Sequence, residues 1–524
     1  VLGQGDLTLL GAFVPATRGG ETPDQFGHSG AYTNTYTGLT LRRLSGTPTL
    51  FSISAEGYLV EYAIPSDGNL LTSSPFNSAT LVRTWGDIWS TMLSQYPNDA
   101  LGLASGTGWS NGYRANALFW DDTTSRMYWT TKVGYPSSNN TESDFSLGYS
   151  TLDDTGHTGT GIGCWRVSPL STHGSRWVGQ PMRIPDSFAV NTLLNSAMTL
   201  GVGFGPNLSI GSYGPKPTGQ NLFAMRHPDT TSDPITANPH TSDMTNFYQG
   251  PLTPLAKFLY DDPPTMRGDR TPWPVTEYGV DSHALIEGQT GWAAYDYVNG
   301  GVWIEGAAKH GIVTFASLMG GNISATIASV ASASQFTISK DIPTDAVIVG
   351  DIVLVDTIGT QGLSNYPFSL GRVSAISGRT ITFQNNGVQS LTKFSGQTLA
   401  GGGNDDTSLP LVGGSVMCGV RYMGNGPTAA RQINIGQIFD PAQYAQVALG
   451  SRASNAVTPA AQWEIQWPDH SSPVQGDVSG TPYHARCDGV AFDPVTKRLY
   501  VLIYGNVGIT SAVSVLVNVF SVNC

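Results

Sequence analysis

The stretch Gly489–Gly505, "GVAFDPVTKRLYVLIYG", decides the fold. Val490 and Phe492 alternate with small or polar residues up to Asp493 and Pro494, which open a turn that Lys497 and Arg498 leave. Tyr500, Leu502 and Tyr504 resume the alternation beyond it. Alternation with a period of two on both sides of an Asp-Pro turn predicts a β-hairpin. The same layout recurs in "ALFWDDTTSRMYWTTKVGY" (Ala117–Tyr135), with Asp121–Ser125 as the turn between Phe119 and Tyr128. "GLTLRRLSGTPTLFSISAEGYLVEYAIP" (Gly38–Pro65) chains three such strands through Ser45-Gly46 and Glu56-Gly57. "GWAAYDYVNGGVWIEGAAKHGIVTFASL" (Gly291–Leu318) does so through Asn299-Gly300 and the Ala307–His310 corner.

Meanders of three or four short strands returning at long intervals predict an all-β chain. Of the all-β architectures, the β-propeller fits best, because each small sheet buries both faces against its neighbours. Beta-sandwich domains in series are the competing architecture, and the Pro/Ser linkers or charge blocks that would separate them are not found. The 63 Gly and 32 Pro among 524 residues punctuate the chain beyond what helices tolerate. Apolar "LTLLGAFVP" (Leu7–Pro15) and "SAVSVLVNVFSV" (Ser511–Val522) suit a ring closed by pairing the two ends.

From Gly321 to Gly414 the aromatic residues thin out and small and β-branched residues alternate, as in "SATIASVASASQFTISKDIPTDAVIVGDIVLVDTIG". This reads as a small β-barrel inserted in a blade loop, with a hairpin at Ser377-Gly378 between Val373 and Ile381 and a return linker over Leu399–Gly414. The expected organisation is therefore propeller over 1–320, barrel over 321–414, and closing propeller over 415–524. Dividing the remainder at about 60 residues per blade predicts about seven blades, with six or eight as alternatives.

The order "GLTLRRL" (Gly38–Leu44), "LVEYAIP" (Leu59–Pro65), "FWDDTTSRMYWT" (Phe119–Thr130), "LGYSTLDD" (Leu147–Asp154), "GGVWIEGAAKHGIVTF" (Gly300–Phe315), "FDPAQYAQVALG" (Phe439–Gly450), "WEIQWP" (Trp463–Pro468) and "GVAFDPVTKRLYV" (Gly489–Val501) resembles a group of secreted bacterial propeller-like proteins without assigned activity. The resemblance spans nearly the whole chain except the Gly321–Gly414 insert. Its motifs are structural hairpins, so it implies a fold and a compartment and carries over no catalytic residues.

Charged residues make up 12% of the chain, and 26 Lys and Arg stand against 38 Asp and Glu, for a formal net charge of −12. That sign opposes binding to a phosphate backbone, so nucleic acid is a poor partner. No run of about 18 apolar residues predicts a membrane span. The start at Val1 without Met, the low Lys and Glu content and the abundant Ser, Thr, Asn and Gly lead us to expect a secreted or cell-surface protein. Cys164, Cys418, Cys487 and Cys524 lack CxxC spacing and are read as two disulfides, with buried thiols as the alternative. A three-strand meander would, however, leave Cys487 and Cys524 at opposite ends, roughly 15–20 Å apart, beyond disulfide reach. Asn139, Asn207 and Asn322 head glycosylation sequons that chance also produces.

Propeller ligands gather in the axial funnel, where residues from several blades converge. His28, His283, His310 and His484 lie near predicted strand starts or corners and are the metal candidates, although none are paired at ligand spacing within one element. Asp121-Asp122, Asp153-Asp154, Asp261-Asp262 and Asp405-Asp406 could supply oxygens to Ca²⁺, but turn formation is the stronger reading. Asp281, Glu305 and Asp488 are the candidate carboxylates for glycoside hydrolysis, which needs a pair about 5–9.5 Å apart. Trp85, Trp89, Trp109, Trp273 and Trp292, in Gly- or Pro-flanked settings, are candidate sugar-stacking platforms that could equally be inter-blade packing. No G-x-S-x-G, H-E-x-x-H or phosphate-loop motif occurs.

Two functional readings follow. The favoured one is a non-catalytic extracellular scaffold, a matrix or filament subunit without cofactor that self-associates by strand addition through Leu7–Pro15, Ser511–Val522 or the inserted barrel, possible glycans included among its partners. The alternative is a carbohydrate-binding or carbohydrate-cleaving propeller acting through its funnel. A metal-dependent oxidoreductase or lactonase at the His cluster is a weaker third.

Overall fold

A computed structural model of the protein describes residues 1–16, 37–44, 46–54, 58–73, 75–85, 88, 113–133, 145–167, 179–203, 221–233, 252–257, 297–320, 323–332, 334–342, 347, 349, 352–355, 368–390, 415–423, 426–429, 431–465, 467–468, 486–504 and 515–524. These residues are nearly all in strands or the turns between them. Strand β1 (Leu7–Phe13) precedes a first antiparallel sheet of β2 (Thr37–Leu44), β3 (Thr47–Ile53), β4 (Leu59–Ala63) and β5 (Thr80–Thr84). The second sheet is β6 (Tyr113–Asp121), β7 (Arg126–Val133), β8 (Phe145–Asp153) and β9 (Thr158–Arg166). The third is β10 (Gln180–Arg183), β11 (Leu200–Gly203), β12 (Asn221–Met225) and β13 (Leu252–Lys257), with helix α1 (Asp186–Asn191) after β10.

The fourth sheet starts with β14 (Tyr297–Glu305) and β15 (His310–Gly320) and is interrupted by seven strands before it resumes. These are β16 (Ile323–Ser332), β17 (Gln335–Ile338), β18 (Ile352–Val355), β19 (Phe368–Ser377), β20 (Thr380–Ser390), β21 (Ser415–Met423) and β22 (Gly426–Ala429). They form a sheet of their own in the order β16-β17-β20-β19-β18-β21-β22, and β16 also pairs with β21. The fourth sheet is completed by β23 (Arg431–Phe439), which pairs with β15, and by β24 (Pro459–Glu464), with helix α2 (Pro441–Ala448) between them. The fifth sheet is β25 (Arg486–Asp493), β26 (Arg498–Tyr504), β27 (Val515–Val522) and, at its outer edge, β1. Asp440 caps α2 by accepting from the Ala442 amide at 2.9 Å, with Pro441 in the first turn.

The two chain ends thus share one sheet, with Leu7 opposite Val522 and Phe13 opposite Val517. The first strands of the five sheets lie against one another in a closed ring: β2 against β6 and β25, β10 against β6 and β14, and β14 against β25. Among the described residues there are five four-stranded sheets, fewer than the seven blades that the length predicts. Stretches such as 89–112 and 258–296 lie outside the described residues.

Alternation along each strand buries both faces, so the core is divided among the seams between neighbouring sheets. Met182, Leu222 and Ala224 pack on Trp303, Ile435 and Tyr444 between the third and fourth sheets. Phe315, Ile438 and Trp467 pack on Val501 and Phe520 between the fourth and fifth, and Leu50 and Tyr62 meet Tyr500 and Val517 between the fifth and first. Tyr149 and Trp165 face Val202 and Phe223 between the second and third. The seven-stranded sheet has a separate core of Ile327, Phe336, Val373, Ile381 and Phe383. The Ser377-Gly378 hairpin forms as predicted, with Ser377 opposite Thr380 and Gly378 at φ 56°. The predicted return linker at Leu399–Gly414 lies outside the described residues.

The pairings correct two expectations. Strand β27 has partners on both edges, β26 and β1, so it cannot accept a strand from another molecule. The second half of β1 is also covered, by a bridge from Ala12 to Leu71 and another from Val14 to Ser78. The disulfide reading fails for Cys487 and Cys524, which are buried thiols outside any disulfide. Cys487 is level with Ile503 and Leu516, whereas Cys524 lies beyond Val522 at the other end of the sheet, roughly 25 Å away. The side chains of Cys164 and Cys418 lie outside the described residues.

The ring is tight at its inner edge. A Cβ at Gly489 in β25 would fall 2.4 Å from the Leu39 backbone nitrogen of β2, closer than any real contact. Gly489→Ala is therefore expected to force the two inner strands apart and to cost about 1–3 kcal/mol, read as a lower denaturant midpoint at unchanged slope.

Candidate functional site at the axis and the seams

All five inner strands run the same way. Arg43 at the end of β2 meets Asp493 at the end of β25, Arg183 at the end of β10 meets Asp121 at the end of β6, and Ser187 just past β10 meets Glu305 at the end of β14. One face of the ring, the turn face, therefore carries their C-terminal ends. Because each sheet is an antiparallel meander of four strands, β5, β9, β13 and β24 end at the opposite face, where β6, β10, β14 and β25 begin.

Inner strands expose unpaired backbone groups to the axis, and each needs a partner if it is buried. Gln180, the first residue of β10, supplies them. Its Nε2 donates to the carbonyl oxygens of Val490 at 2.6 Å, Leu39 at 3.2 Å and Leu118 at 3.3 Å, and its Oε1 accepts from the Val490 amide at 3.0 Å. One side chain thus ties β10 to β2, β6 and β25. It also touches β14, because a Cβ at Gly300, where φ is 131°, would lie 2.3 Å from Gln180 Oε1. Gln180 is 3% exposed. The axis is therefore closed at this depth by a hydrogen-bonded amide, and an open funnel does not run through it.

Around this closure, the seams carry charged contacts on the turn face. Asp493 is wholly buried and accepts from Arg43 at 2.5 and 3.2 Å. Burial alone would raise its carboxyl, but the hydrogen bonds from Arg43, Thr496 and Val495 outweigh burial and hold it below the ordinary carboxylate range. Arg42 is bidentate to Asp154 at 2.5 and 2.8 Å across the seam between the first and second sheets. The Arg42 hydrogen bond lowers the Asp154 carboxyl. The same guanidinium lies 4.5 Å from the Trp120 ring centre and 5.6 Å from that of Trp85. Lys309 holds Asp6 at 2.5 Å between the fourth and fifth sheets and lowers its carboxyl.

The hairpin turns show why Asp recurs. In Asp121–Ser125, Asp121 accepts from the Thr123 amide at 3.2 Å and Thr124 Oγ1 at 2.7 Å, and Ser125 has φ 52°. In Asp493–Lys497, Asp493 accepts from the Val495 amide and Thr496 Oγ1, and Lys497 has φ 53°. Asp153 repeats the first bond, to the Thr155 amide, ahead of His157 at φ 53°. In the two described acidic pairs, the oxygens proposed for Ca²⁺ are thus engaged in turns or seams, and Asp122 accepts from Trp120 Nε1 at 2.6 Å. Asp261-Asp262 and Asp405-Asp406 lie outside the described residues.

The other predicted site residues are dispersed. Gly300 is level with Gly489, so Glu305 and Asp488 are six residues apart along parallel strands, roughly 20 Å, too far to act as a glycosidase pair. Glu305 is exposed and accepts from Ser187 Oγ at 3.2 Å, and Asp488 is wholly buried. Trp85 is not a platform: it is wholly buried and donates from Nε1 to Glu61 at 3.0 Å. His310 is exposed opposite Glu305 in the β14–β15 ladder, and its carbonyl accepts from the Leu2 amide. His28, His283, His484, Asp281, Trp89, Trp109, Trp273 and Trp292 lie outside the described residues, as do Asn139, Asn207 and Asn322. Among the described residues no group of three His, Cys, Asp or Glu side chains is placed to hold a metal ion.

Two residues that sequence reasoning passed over are central. Gln180 sits in "WVGQPMRIP" with no motif to mark it. His227 follows β12 in "RHPDTTSDP", whose Asp229 accepts from the Thr231 and Ser232 amides in another Asp turn. That resemblance to the other turns was the one available signal.

No family model matches the sequence, and no curated protein matches it. Similar solved structures include the Dos1 propeller, at 9% identity over 93% of this chain and 68% of that one, with a TM-score of 0.23. Saccharomyces cerevisiae Sqt1 is similar at 6% identity over 94% and 97% of the two chains, with a TM-score of 0.21. Endo-1,5-alpha-L-arabinanase from Thermotoga petrophila RKU-1 is similar at 9% identity over 94% and 100%, with a TM-score of 0.25. The ring of sheets is established by the strand pairings of this chain, and no helix among the described residues is long and apolar enough to cross a membrane.

Proposed function

We propose that the protein is a five-bladed, non-catalytic propeller of the cell surface or extracellular space that serves as a scaffold, with a β-barrel inserted in its fourth blade. The axial closure by Gln180 is the observation that carries this reading: the passage where propeller ligands gather is filled by a side chain already committed to three other sheets. The described acidic residues of the turn face support it, since Asp121, Asp154 and Asp493 hold seams together. The barrel's proposed limits are 321–429, because β21 and β22 belong to its sheet, which moves the border beyond the 414 expected from composition. With the terminal strands occupied, self-association falls to the barrel, where β22 is an edge strand paired to β21 alone among the described strands.

The reading is tested on the full chain by mass photometry and negative-stain imaging, alongside reducing-sugar release from a polysaccharide panel. Assemblies larger than the monomer and no sugar release are the expected results. A protein that stays monomeric at micromolar concentration removes the assembly role, and sugar release lost on Glu305→Gln replaces the scaffold with a carbohydrate-cleaving enzyme.

A further inference from the structure

We propose that the seam between the second and third sheets is an acid-sensitive latch, held shut by neutral His227 and loosened when its imidazole takes up a proton. His227 belongs to the third sheet's side of the seam, and both ring nitrogens are engaged. Nδ1 lies 2.7 Å from Tyr128 Oη across the seam, and Nε2 lies 3.0 Å from Thr199 Oγ1. Arg126, which can only donate, also faces Tyr128 Oη, and with the Thr124 hydroxyl proton given to Asp121 we take the Tyr128 proton to lie toward Nδ1. That arrangement requires Nδ1 to be an acceptor and leaves the imidazole proton on Nε2, donating to Thr199. A second proton has only Nδ1 to occupy, and there it would set two donors against each other.

The surroundings make that proton costly. The His227 side chain is 15% exposed, and Arg183 and Arg126 both face it. Asp121 Oδ2 is 3.9 Å away and already accepts from Thr124 Oγ1, while Oδ1 of the same carboxylate takes Arg183 and the Thr123 amide. Burial is the largest influence and, with the two arginines, outweighs Asp121, lowering the imidazole to about 4 from its ordinary 6.5. Tyr128 and Tyr149 are raised by burial and stay neutral, with Arg126 over the Tyr149 ring at 4.1 Å. Of the remaining charges just past β12, Arg226 is bidentate to Asp233 at 2.7 Å and reaches Asp229 at 3.7 Å.

Because the folded imidazole titrates below the unfolded one, the latch is at full strength above about pH 6.5 and weakens as pH falls toward 4. Between pH 7.5 and 5.0 this single group is expected to raise the unfolding equilibrium constant roughly 30-fold. The test compares denaturant unfolding at those two pH values for the native protein and His227→Gln, which keeps an acceptor and a donor but does not titrate. The unfolding equilibrium constant of the native protein should rise roughly 30-fold more than that of the variant. Equal pH dependence in the two overturns the latch. Should the variant not fold, hydrogen exchange of the native protein decides: at pH 5.0, after correction for intrinsic rates, protection should fall first in β7, β11 and β12. Protection lost evenly around the ring overturns the proposal.

Discussion

Gln180→Ala is expected to destabilise the protein by about 3–5 kcal/mol, with a correspondingly lower denaturant midpoint. The wild-type amide satisfies three carbonyls and one amide from β2, β6 and β25. Each such bond contributes about 0.5–1.5 kcal/mol net, and each group left unpaired costs about 1–3 kcal/mol, less whatever an entering water recovers. Gln180→Leu separates the two contributions. Leucine fills most of the volume but satisfies none of the four groups, so it should be no better than alanine. A leucine variant close to wild type would mean that side-chain volume rather than hydrogen bonding closes the ring. Because Gln180 ties together several sheets that otherwise meet only at their seams, the alanine variant is also expected to broaden the transition and lower its slope.

How much of this could be read from residues alone depended on the range of the interactions. The hairpins were legible because their signals are local: alternation and Asp-Pro or Asp-Asp turns fall within about fifteen residues, and β6–β7 and β25–β26 form where "FWDDTTSRMY" and "FDPVTKRLY" place them. The pairing of β1 with β27 was legible for a different reason, since two apolar ends need partners and a ring supplies them. The insertion was visible as a change in composition, and the seven-stranded sheet there also takes in β21 and β22, whose composition reads like that of the other sheets. The axial residue was hidden altogether. Gln180 acquires its role from Leu39, Leu118 and Val490, which are 141, 62 and 310 residues away. Trp85 misled because a Gly-flanked tryptophan resembles a loop aromatic, and its Nε1 finds Glu61 inside the first sheet. In "LRRL", Arg42 and Arg43 passed as an ordinary charged pair, although they reach into different seams.

The contact between Arg43 and Asp493 carries the second large effect, and it should be asymmetric. Asp493 has no exposed side-chain surface, whereas Arg43 retains 19%. Removing the carboxylate leaves a guanidinium that can reach water and the Gly46 carbonyl, so Asp493→Asn is expected to cost only about 1–3 kcal/mol. Removing the guanidinium strands a buried anion whose remaining partners are the Val495 amide and Thr496 Oγ1, and Arg43→Met should cost about 3–5 kcal/mol. The two proteins should also respond oppositely to acid. In the wild type the Asp493 carboxyl is held below its ordinary 3.8, so its contribution is intact above about pH 4 and is lost as pH falls below that. Without Arg43, burial, which already opposes ionisation, is no longer outweighed, and the carboxyl moves above the unfolded value. The folded variant then takes up its proton first, so the stability gap to wild type should narrow as pH falls from 7 toward 4.5. A gap that is constant or widens over that range would show that Arg43 acts through its aliphatic packing, with Asp493 neutral or solvated in both proteins. Denaturant unfolding at three pH values distinguishes the two, and Arg43→Lys, which restores charge without the bidentate geometry, should recover only part of the loss.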